Sequence, residues 1–112
     1  MNDKFLVIKY VKDFIIDIDT FIVNLPRKEY EVKNRIINDA FDILELVYYS
    51  NIKKDNDSKS IILSKLSMLD FYLERYYRMG IISEKVCKRK CNELEKIIKM
   101  IYGWIRSESK CE

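Results

Sequence analysis

Glycine and proline are almost absent from this chain, which contains two glycines and one proline in 112 residues. Sheets of many short strands need frequent tight turns, and these two residues supply most of them. Three such residues can serve only a few connections between long elements. The sequence therefore predicts a small number of helices and excludes a sandwich or barrel of many strands.

Apolar side chains recur at alternating intervals of three and four residues in four segments, which is the spacing of one helix face. The four stripes are Ile8, Val11, Ile15, Ile18, Ile22 and Leu25; Val32, Ile36, Ala40, Ile43 and Val47; Ile62, Leu66, Leu69, Leu73 and Tyr76; and Cys87, Cys91, Leu94, Ile98, Ile101 and Ile105. We expect one domain over residues 1-112, with helices at about 3-25, 29-50, 59-79 and 84-107.

The breaks between the stripes contain residues that end or begin helices. Pro26 pushes the residue before it out of the helical region. The polar residues 50-60 show no apolar period and predict the longest loop, which we expect to be mobile. Gly80 occupies a position where helices often end in a left-handed residue, and Ser83 is expected to cap the fourth helix.

Four helices of this length, joined by short connections, favour an all-α, antiparallel, up-down-up-down four-helix bundle. Aromatic residues exceed what one stripe per helix requires. Those beside or away from the stripes are Phe14, Phe21, Phe41, Phe71, Tyr72, Tyr77, Tyr102 and Trp104. Two interpretations carry equal weight: a thick core with tyrosines at its rim, or a second buried face between subunits. We expect Trp104, next to Gly103, to be buried in either case.

The residues that carry most enzyme chemistry are missing or isolated. The chain contains no histidine, which excludes histidine-dependent catalysis, histidine metal sites and histidine pH switches. Cys87 and Cys91 lie four residues apart and Cys111 is near the end, a spacing unlike a disulfide framework or a zinc site. We interpret the first two as small apolar residues. We expect no enzymatic activity, no cofactor and no metal.

The acidic pairs do not indicate a catalytic site, and no targeting signal is recognised in the sequence. Asp13 with Asp17, and Asp39 with Asp42, are the kind of carboxylate pairs that occur commonly on exposed helix faces. The start of the sequence lacks the pattern of a secretory peptide, and no stretch approaches the roughly 18 uncharged apolar residues of a membrane span. A cytoplasmic location is therefore expected.

Basic charge is concentrated in the second half of the chain. Residues 1-51 carry seven basic and nine acidic side chains, whereas residues 52-112 carry fourteen and nine. The densest run is 85-90, and helical spacing places a set of basic residues on one face of the fourth helix, which suits phosphate. The candidate nucleic-acid-binding residues are Lys85, Lys88, Arg89, Lys96 and Lys99, with Arg75 and Arg78 on the third helix.

Other uses of these basic residues stay open. Glu84, Glu93 and Glu95 are interspersed with them, so a solvated helix surface is the alternative for a monomer, although a ring of subunits would add the charges together. Lys90 and Arg106 are the remaining basic residues of the predicted fourth helix. A second candidate site is the basic part of the 50-60 loop, which contains Lys53, Lys54 and Lys59. Tyr76 and Tyr77 lie beside arginines and are candidates either for stacking on bases or for packing at the helix rim.

Several motifs give the chain a resemblance to a known family. The second helix contains Asn34-Arg35-Ile36-Ile37-Asn38, Asp42-Ile43-Leu44-Glu45-Leu46 and Ser50-Asn51; later come Leu66, Leu69-Asp70, Leu73 and Arg75, Arg78-Met79-Gly80-Ile81-Ile82-Ser83-Glu84-Lys85, and Ile101-Tyr102-Gly103-Trp104-Ile105-Arg106-Ser107. As an ordered set over residues 30-107, they resemble the accessory variability determinant family of diversity-generating retroelements. In that family the tryptophan often follows two glycines, and here Tyr102 replaces the first.

The resemblance implies a homopentameric, barrel-like assembly of four-helix bundles with a basic surface and no activity of its own. It implies that the chain binds a reverse transcriptase and template RNA, and also DNA, and that it supports mutagenic complementary-DNA synthesis. The alternative is a bundle of the related type encoded by intervening sequences in 23S ribosomal RNA genes, or another structural four-helix bundle, that acts only in protein–protein interaction. That family usually carries an Asn-Ile-Ala-Glu-Gly-like segment where this chain has Tyr48-Tyr49-Ser50-Asn51-Ile52.

Overall fold

The computed structural model describes the backbone of residues 3–110 and the side chains of residues 6–108. This part of the chain contains four α-helices, a short 3-10 turn at Arg27–Glu29 and no strand. The helices are α1 (Asp3–Ile22), α2 (Tyr30–Lys53), α3 (Asp57–Arg78) and α4 (Glu84–Lys110). The prediction of an all-α fold with four helices is confirmed.

The helices pack side by side around one core. Each helix contacts the next along the chain, and α1 also contacts α4, so the set closes on itself. The resulting body measures 48 × 23 × 20 Å, which is one helix length by two helix widths. Within residues 3–110 no helix has both the length and the apolar character needed to cross a membrane.

The apolar stripes predicted for α1, α2 and α3 form most of the core. All of their residues are buried except Ile8 and Val32, which are half-buried against it. In α4 the buried face differs from the prediction. Its buried residues are Lys90, Leu94, Ile97, Ile101 and Trp104, and the predicted Cys87, Cys91, Ile98 and Ile105 are half-buried.

The shift in α4 has a simple physical reason. The buried residues still follow a spacing of four, three, four and three, but this series begins with a lysine and ends with a tryptophan. A lysine can bury its aliphatic stem when its ammonium group finds a partner, so the charge of Lys90 disguised a core position. Trp104, which is 3% exposed, confirms the prediction that it is buried.

The surplus aromatic residues divide between the core and the surface. Phe14, Tyr72 and Trp104 are buried and Phe21 is half-buried. The remaining four stay exposed in this single chain: Phe41, Phe71, Tyr77 and Tyr102. A thick core therefore accounts for about half of the surplus, and the other half remains on the outside.

The prediction of a long loop at residues 50-60 is wrong. Helix α2 continues to Lys53 and α3 begins at Asp57, so only three residues connect them. The Asp55 carboxylate accepts hydrogen bonds from the backbone N–H of Ser58, at 3.1 Å, and from its hydroxyl. These bonds hold the pKa of Asp55 below its usual value. Polar residues that suggested mobility instead cap the first turn of α3.

The turn between α3 and α4 has the geometry that the sequence indicates. Gly80 adopts a left-handed conformation with φ of +76°. The N–H groups of Gly80 and Ile81 donate to the carbonyl oxygens of Tyr77 and Tyr76 at 3.0 and 2.9 Å, which closes the end of α3. The Ser83 hydroxyl accepts a hydrogen bond from the N–H of Val86 at 3.1 Å and caps α4.

Candidate nucleic-acid interface

The solvent-facing side of α4 is strongly basic. Between residues 84 and 108 it exposes six basic side chains but only two acidic ones, Glu84 and Glu95. The basic residues recur at intervals that keep them near one line along the helix. We call five of them the basic ridge: Lys85, Lys88, Arg89, Lys96 and Lys99. Arg106 extends the same side toward the end of α4.

Two lysines of the basic ridge lie next to acidic residues one turn earlier. Lys88 Nζ is 3.0 Å from Glu84 Oε1, and Lys99 Nζ is 3.3 Å from Glu95 Oε1. The hydrogen bond to Glu84 raises the pKa of Lys88. The two lysine side chains are still 73% and 76% exposed. Exposed pairs of this kind are weak and are screened by salt, so a polyanion can compete for both lysines.

The other three residues of the basic ridge form no ion pair with a described carboxylate. Lys85, Arg89 and Lys96 are exposed, and no carboxylate of the described residues lies within 4.0 Å of their charged groups. They span twelve residues, or about 16 Å along the helix axis. Three exposed cations in one row, outside any ion pair of the described residues, create a positive potential that attracts phosphate. They form the centre of the candidate interface.

Lys90 does not belong to this surface, although the sequence places it inside the basic run. It is 1% exposed, and its ammonium group forms an ion pair with Asp17 of α1. Glu93 Oε2 lies 3.7 Å from the same nitrogen. Lys90 therefore ties α4 to α1 and is unavailable to an external anion.

Arg75 and Arg78 lie on α3 and have partners of their own. Arg75 Nη1 is 2.6 Å from Oε1 of Glu29, a carboxylate that is itself buried at the start of α2. The hydrogen bond to Glu29 raises the pKa of Arg75. Arg78 pairs with Glu74 on the exposed side of α3 at 2.8 Å. Arg75 therefore links α3 to the turn before α2, whereas Arg78 is 76% exposed and able to contact a ligand.

The two tyrosines beside these arginines differ in exposure. Tyr76 is 0% exposed, so it packs in the core and cannot stack on a base. Burial, with the negative charge of Glu29 nearby, raises the pKa of Tyr76 to about 12. Its hydroxyl has no hydrogen-bond partner among the described residues. Tyr77 is 42% exposed and remains available for stacking.

The second candidate basic site, in the α2–α3 connector, loses one of its three residues. Lys59 is completely buried. Its Nζ is 2.8 Å from Glu108 Oε2 and 2.6 Å from the carbonyl oxygen of Asp55, and it lies 4.4 Å from the centre of the Trp104 ring. Lys59 lies three residues before the first residue of the α3 stripe, which is the spacing of residues on one helix face. This spacing was the one sequence signal that Lys59 faces the core.

The acidic pairs serve different structural contacts. Asp39 and Asp42 of α2 lie 3.5 and 3.3 Å from the Nζ of Lys65 on α3. Burial opposes the charge of Lys65, but the hydrogen bonds to the two carboxylates leave its pKa raised. Asp17 is the partner of Lys90, and Asp13 lies one turn before it on the exposed side of α1.

The two cysteines of α4 are half-buried neighbours. Their sulfur atoms are 4.0 Å apart, and the Cys87 thiol lies 3.8 Å from the carbonyl oxygen of Leu73. Burial, with Asp70 nearby, raises the pKa of Cys91 to about 12, so this thiol stays protonated at neutral pH. In the part of the chain described, no three acidic or thiol side chains are placed to hold a metal ion. Cys111 lies outside the described residues.

Comparison of the chain with protein-family profiles, with curated proteins and with solved structures gives no match. Its function therefore has to be argued from the geometry above and from the resemblance of its motifs. The feature that combines exposure, charge and regular spacing is the basic ridge of α4.

Proposed function

We propose that this chain is a non-catalytic accessory protein that binds nucleic acid through the basic ridge of α4. The observation that carries the proposal is the row formed by Lys85, Arg89 and Lys96, which is exposed and forms no ion pair with a carboxylate of residues 6–108. In the role that the sequence motifs imply, the nucleic acid is the template RNA of a diversity-generating retroelement. The protein then supports mutagenic complementary-DNA synthesis by a reverse transcriptase.

The mode of binding follows from the chemistry of the basic ridge. Lysine and arginine on a helix surface neutralise phosphates, release condensed counterions and carry no base readout of their own. Binding of this kind is strong at low salt and independent of sequence, and it extends to DNA. Tyr77, exposed on α3, adds a surface on which an unpaired base can stack.

We further propose that the bundle is antiparallel and assembles as a homopentamer. The Lys59–Glu108 ion pair, which joins the first turn of α3 to the end of α4, supports the antiparallel order of these helices. Exposed apolar residues support assembly. Phe41, Tyr48 and Ile52 lie seven and four residues apart on α2, and Ile52 is 79% exposed. A row of this kind is typical of a surface that another subunit covers.

Gly103 gives a second indication of assembly. Glycine in a helix interior costs about 1 kcal/mol relative to alanine. A Cβ atom placed at Gly103 would meet only the end of the Arg106 side chain, at 3.9 Å. Nothing else described in this chain therefore requires a glycine there. Close approach of a neighbouring subunit to this point of α4 would explain it.

Charge reversal tests the nucleic-acid site. Arg89→Glu with Lys96→Glu removes two cations of the central row, and neither pairs with an acidic side chain of residues 6–108 whose loss would disturb folding. We expect the double variant to bind single-stranded RNA of any sequence at least about tenfold more weakly, since each phosphate contact contributes to affinity. Fluorescence anisotropy at fixed salt measures the change.

The matched control is Lys28→Glu with Arg35→Glu, which reverses one lysine and one arginine at the same spacing on another exposed surface. We expect this control to lose much less affinity and to keep the melting temperature of the parent. Equal weakening in both variants would mean that only net charge attracts RNA, and the basic ridge would not be the site.

Alanine at Gly103 tests the assembly. Light scattering of the parent is expected to give five copies, and Gly103→Ala is expected to give smaller species if a neighbour packs there. In a monomer, the same substitution should instead raise stability by about 1 kcal/mol and change nothing else. A parent that remains monomeric at micromolar concentration would contradict the assembly.

One observation favours a second function. Two of the five lysines and arginines of the basic ridge pair with acids on the same helix, as in an ordinary solvated surface. The alternative is a structural bundle that binds only protein, as the ribosomal intervening-sequence family implies. A lack of RNA binding even at low salt would favour this alternative. A reverse-transcriptase gene beside the gene for this chain would favour the retroelement role.

A further inference from the structure

A groove runs between α1 and α4, and none of the residues that line it belongs to the basic ridge. Its volume is about 430 Å³, within the range of ligand-binding clefts. The residues that matter here are three acids and three apolar side chains: Asp13, Asp17, Glu93, Tyr10, Phe14 and Ile16. We call this the α1–α4 groove.

The charge of the α1–α4 groove is opposite to that of the protein as a whole. The chain has a net charge of +3, yet the groove is lined by three carboxylates and by no basic side chain. Lys90 underneath compensates part of this charge through Asp17 and Glu93. Glu93 Oε2 is buried but accepts no hydrogen bond from the described residues. The Glu93 side chain as a whole is 36% exposed, so its carboxylate adds negative charge at the surface of the groove.

The same groove exposes apolar surface. Ile16 is 67% exposed at its edge, and Tyr10 is 37% exposed. Phe14 is buried and lies against the core. From Tyr10 to Thr20 the lining extends ten residues along α1, or about 15 Å, which matches about three turns of a helix laid beside it. The surface therefore combines an apolar strip with an acidic one.

We propose that the α1–α4 groove docks a basic amphipathic helix of a protein partner. Aliphatic side chains of that helix cover Ile16, and its lysines or arginines face Asp13, Asp17 and Glu93. Charge complementarity selects this occupant, since helix-in-groove binding pairs an apolar stripe with charges that match the rim. The groove borders the basic ridge, since Arg89 lines the adjoining cleft that shares Asp17 and Thr20 with it, but none of the five ridge residues lines the groove itself.

Two exposed faces of a second copy, the basic ridge of α4 and the apolar row of α2, fit the groove less well than such a helix. The basic ridge supplies the required charge, but Tyr102 is the one strongly exposed large apolar side chain between residues 84 and 108. The apolar strip beside Ile16 would then stay uncovered. The exposed apolar row on α2, formed by Phe41, Tyr48 and Ile52, has the opposite deficiency, because it contains no basic residue. The occupant must carry both properties on one helix.

The test uses a labelled peptide as the probe. A 15-residue helical peptide with leucine at i, i+3, i+4 and i+7 and with lysine and arginine beside them should bind the whole protein in fluorescence anisotropy. A scrambled peptide of the same composition keeps the charge but loses the apolar face, and is expected to bind at least about tenfold more weakly. Equal binding of the two peptides would overturn the proposal.

Matched variants locate the site on the protein. Asp13→Lys reverses a carboxylate of the groove, and Asp19→Lys reverses an exposed carboxylate on the same helix that does not line it. We expect Asp13→Lys to weaken the amphipathic peptide at least about tenfold and Asp19→Lys less than about twofold, with RNA affinity not lowered in either. Equal losses would show unspecific attraction, and an effect of Asp13→Lys only on self-association would assign the groove to a second copy. Either result overturns the proposal.

This inference does not depend on nucleic-acid binding. Arg89→Glu with Lys96→Glu should leave the peptide affinity unlowered while it weakens RNA. Binding of the peptide without binding of RNA would support the groove proposal and refute the proposed function. Binding of RNA without binding of the peptide would support the proposed function and refute the groove proposal.

Discussion

Replacement of Lys59 by methionine tests the most unusual contact in the bundle. The side chain is completely buried, and its ammonium group contacts the carboxylate of Glu108 and the carbonyl of Asp55 at 2.8 and 2.6 Å. It also lies 4.4 Å from the centre of the Trp104 ring, whose Nε1 donates to the other oxygen of Glu108 at 2.7 Å. Lys59→Met keeps the packing of the stem and removes these polar contacts.

The expected loss is a balance of opposing terms. Each charge-assisted hydrogen bond contributes about 1.5–3 kcal/mol, and the cation over the indole ring contributes about 1–2 kcal/mol. Against them stands the cost of burying an ammonium group, which is several kcal/mol. Glu108 is 22% exposed, so it can regain water after its partner is removed. We expect the free energy of unfolding to fall by about 2–3 kcal/mol.

The assay is thermal and denaturant unfolding followed by circular dichroism. A chain of this length has an unfolding entropy of about 0.24 kcal/mol/K, so the melting temperature should fall by about 8–13 °C. Parent and variant must be compared at the same protein concentration, because assembly would make the melting temperature concentration-dependent. The variant Glu108→Gln should couple to Lys59→Met by more than about 1 kcal/mol in a double-mutant cycle.

Lys65→Met is the matched control. Lys65 is also a lysine of α3 that pairs with acids of a neighbouring helix, but its side chain is 28% exposed. Surface pairs contribute about 0–1 kcal/mol, so we expect the control to lose at most that amount. Equal losses in the two variants, or a more stable Lys59→Met, would refute the argument that burial makes this contact strong.

The remaining predictions concern the core. Leu94→Ala should lower the free energy of unfolding by about 2–5 kcal/mol, whereas Ile98→Ala should cost less, because Leu94 is buried and Ile98 half-buried; equal losses in denaturant melts would contradict the buried face of α4. Tyr76 has its pKa raised from 10.0 to about 12, so its contribution to stability is complete below pH 10 and is lost as the pH rises to about 12. Tyr76→Phe should flatten this loss in melts at pH 9–12, and an unchanged pH profile would contradict the burial of the hydroxyl.

The fold was predictable because it depends on a repeated pattern. Stripes such as Ile62, Leu66, Leu69 and Leu73 indicate a helix face many times over, so a single misleading residue cannot hide it. Gly80 and Ser83 also act locally, through one backbone conformation and one capping hydroxyl, and both occur as expected.

The errors arose where a charged or polar residue depends on a distant partner. Lys59 and Lys90 look like surface lysines until the partners Glu108 and Asp17 are known, and those lie 49 and 73 residues away. The buried carboxylate of Glu29 likewise explains the fixed position of Arg75. The position of each lysine relative to the spacing of the apolar stripe was the available local clue. The charge of the side chain nevertheless led to the prediction that both lysines lie on the surface.

The same limitation affects the candidate site. Sequence spacing placed the basic ridge on one face of α4, and its residues are exposed there. Spacing could not separate Lys88 and Lys99, which have acidic neighbours, from the central row of Lys85, Arg89 and Lys96. That difference depends on side-chain geometry. The acidic groove between α1 and α4 escaped prediction for a related reason, since its carboxylates come from two helices far apart in the chain.

The salt dependence of RNA binding tests the central claim most directly. The affinity of the parent and of Arg89→Gln with Lys96→Gln for single-stranded RNA should be measured from about 50 to 200 mM salt. Each phosphate contact contributes about −0.7 to the slope of log K against log salt, so loss of two contacts should make the slope shallower by about 1.4. An unchanged slope at unchanged affinity would contradict the claim that the central row of α4 holds the phosphates.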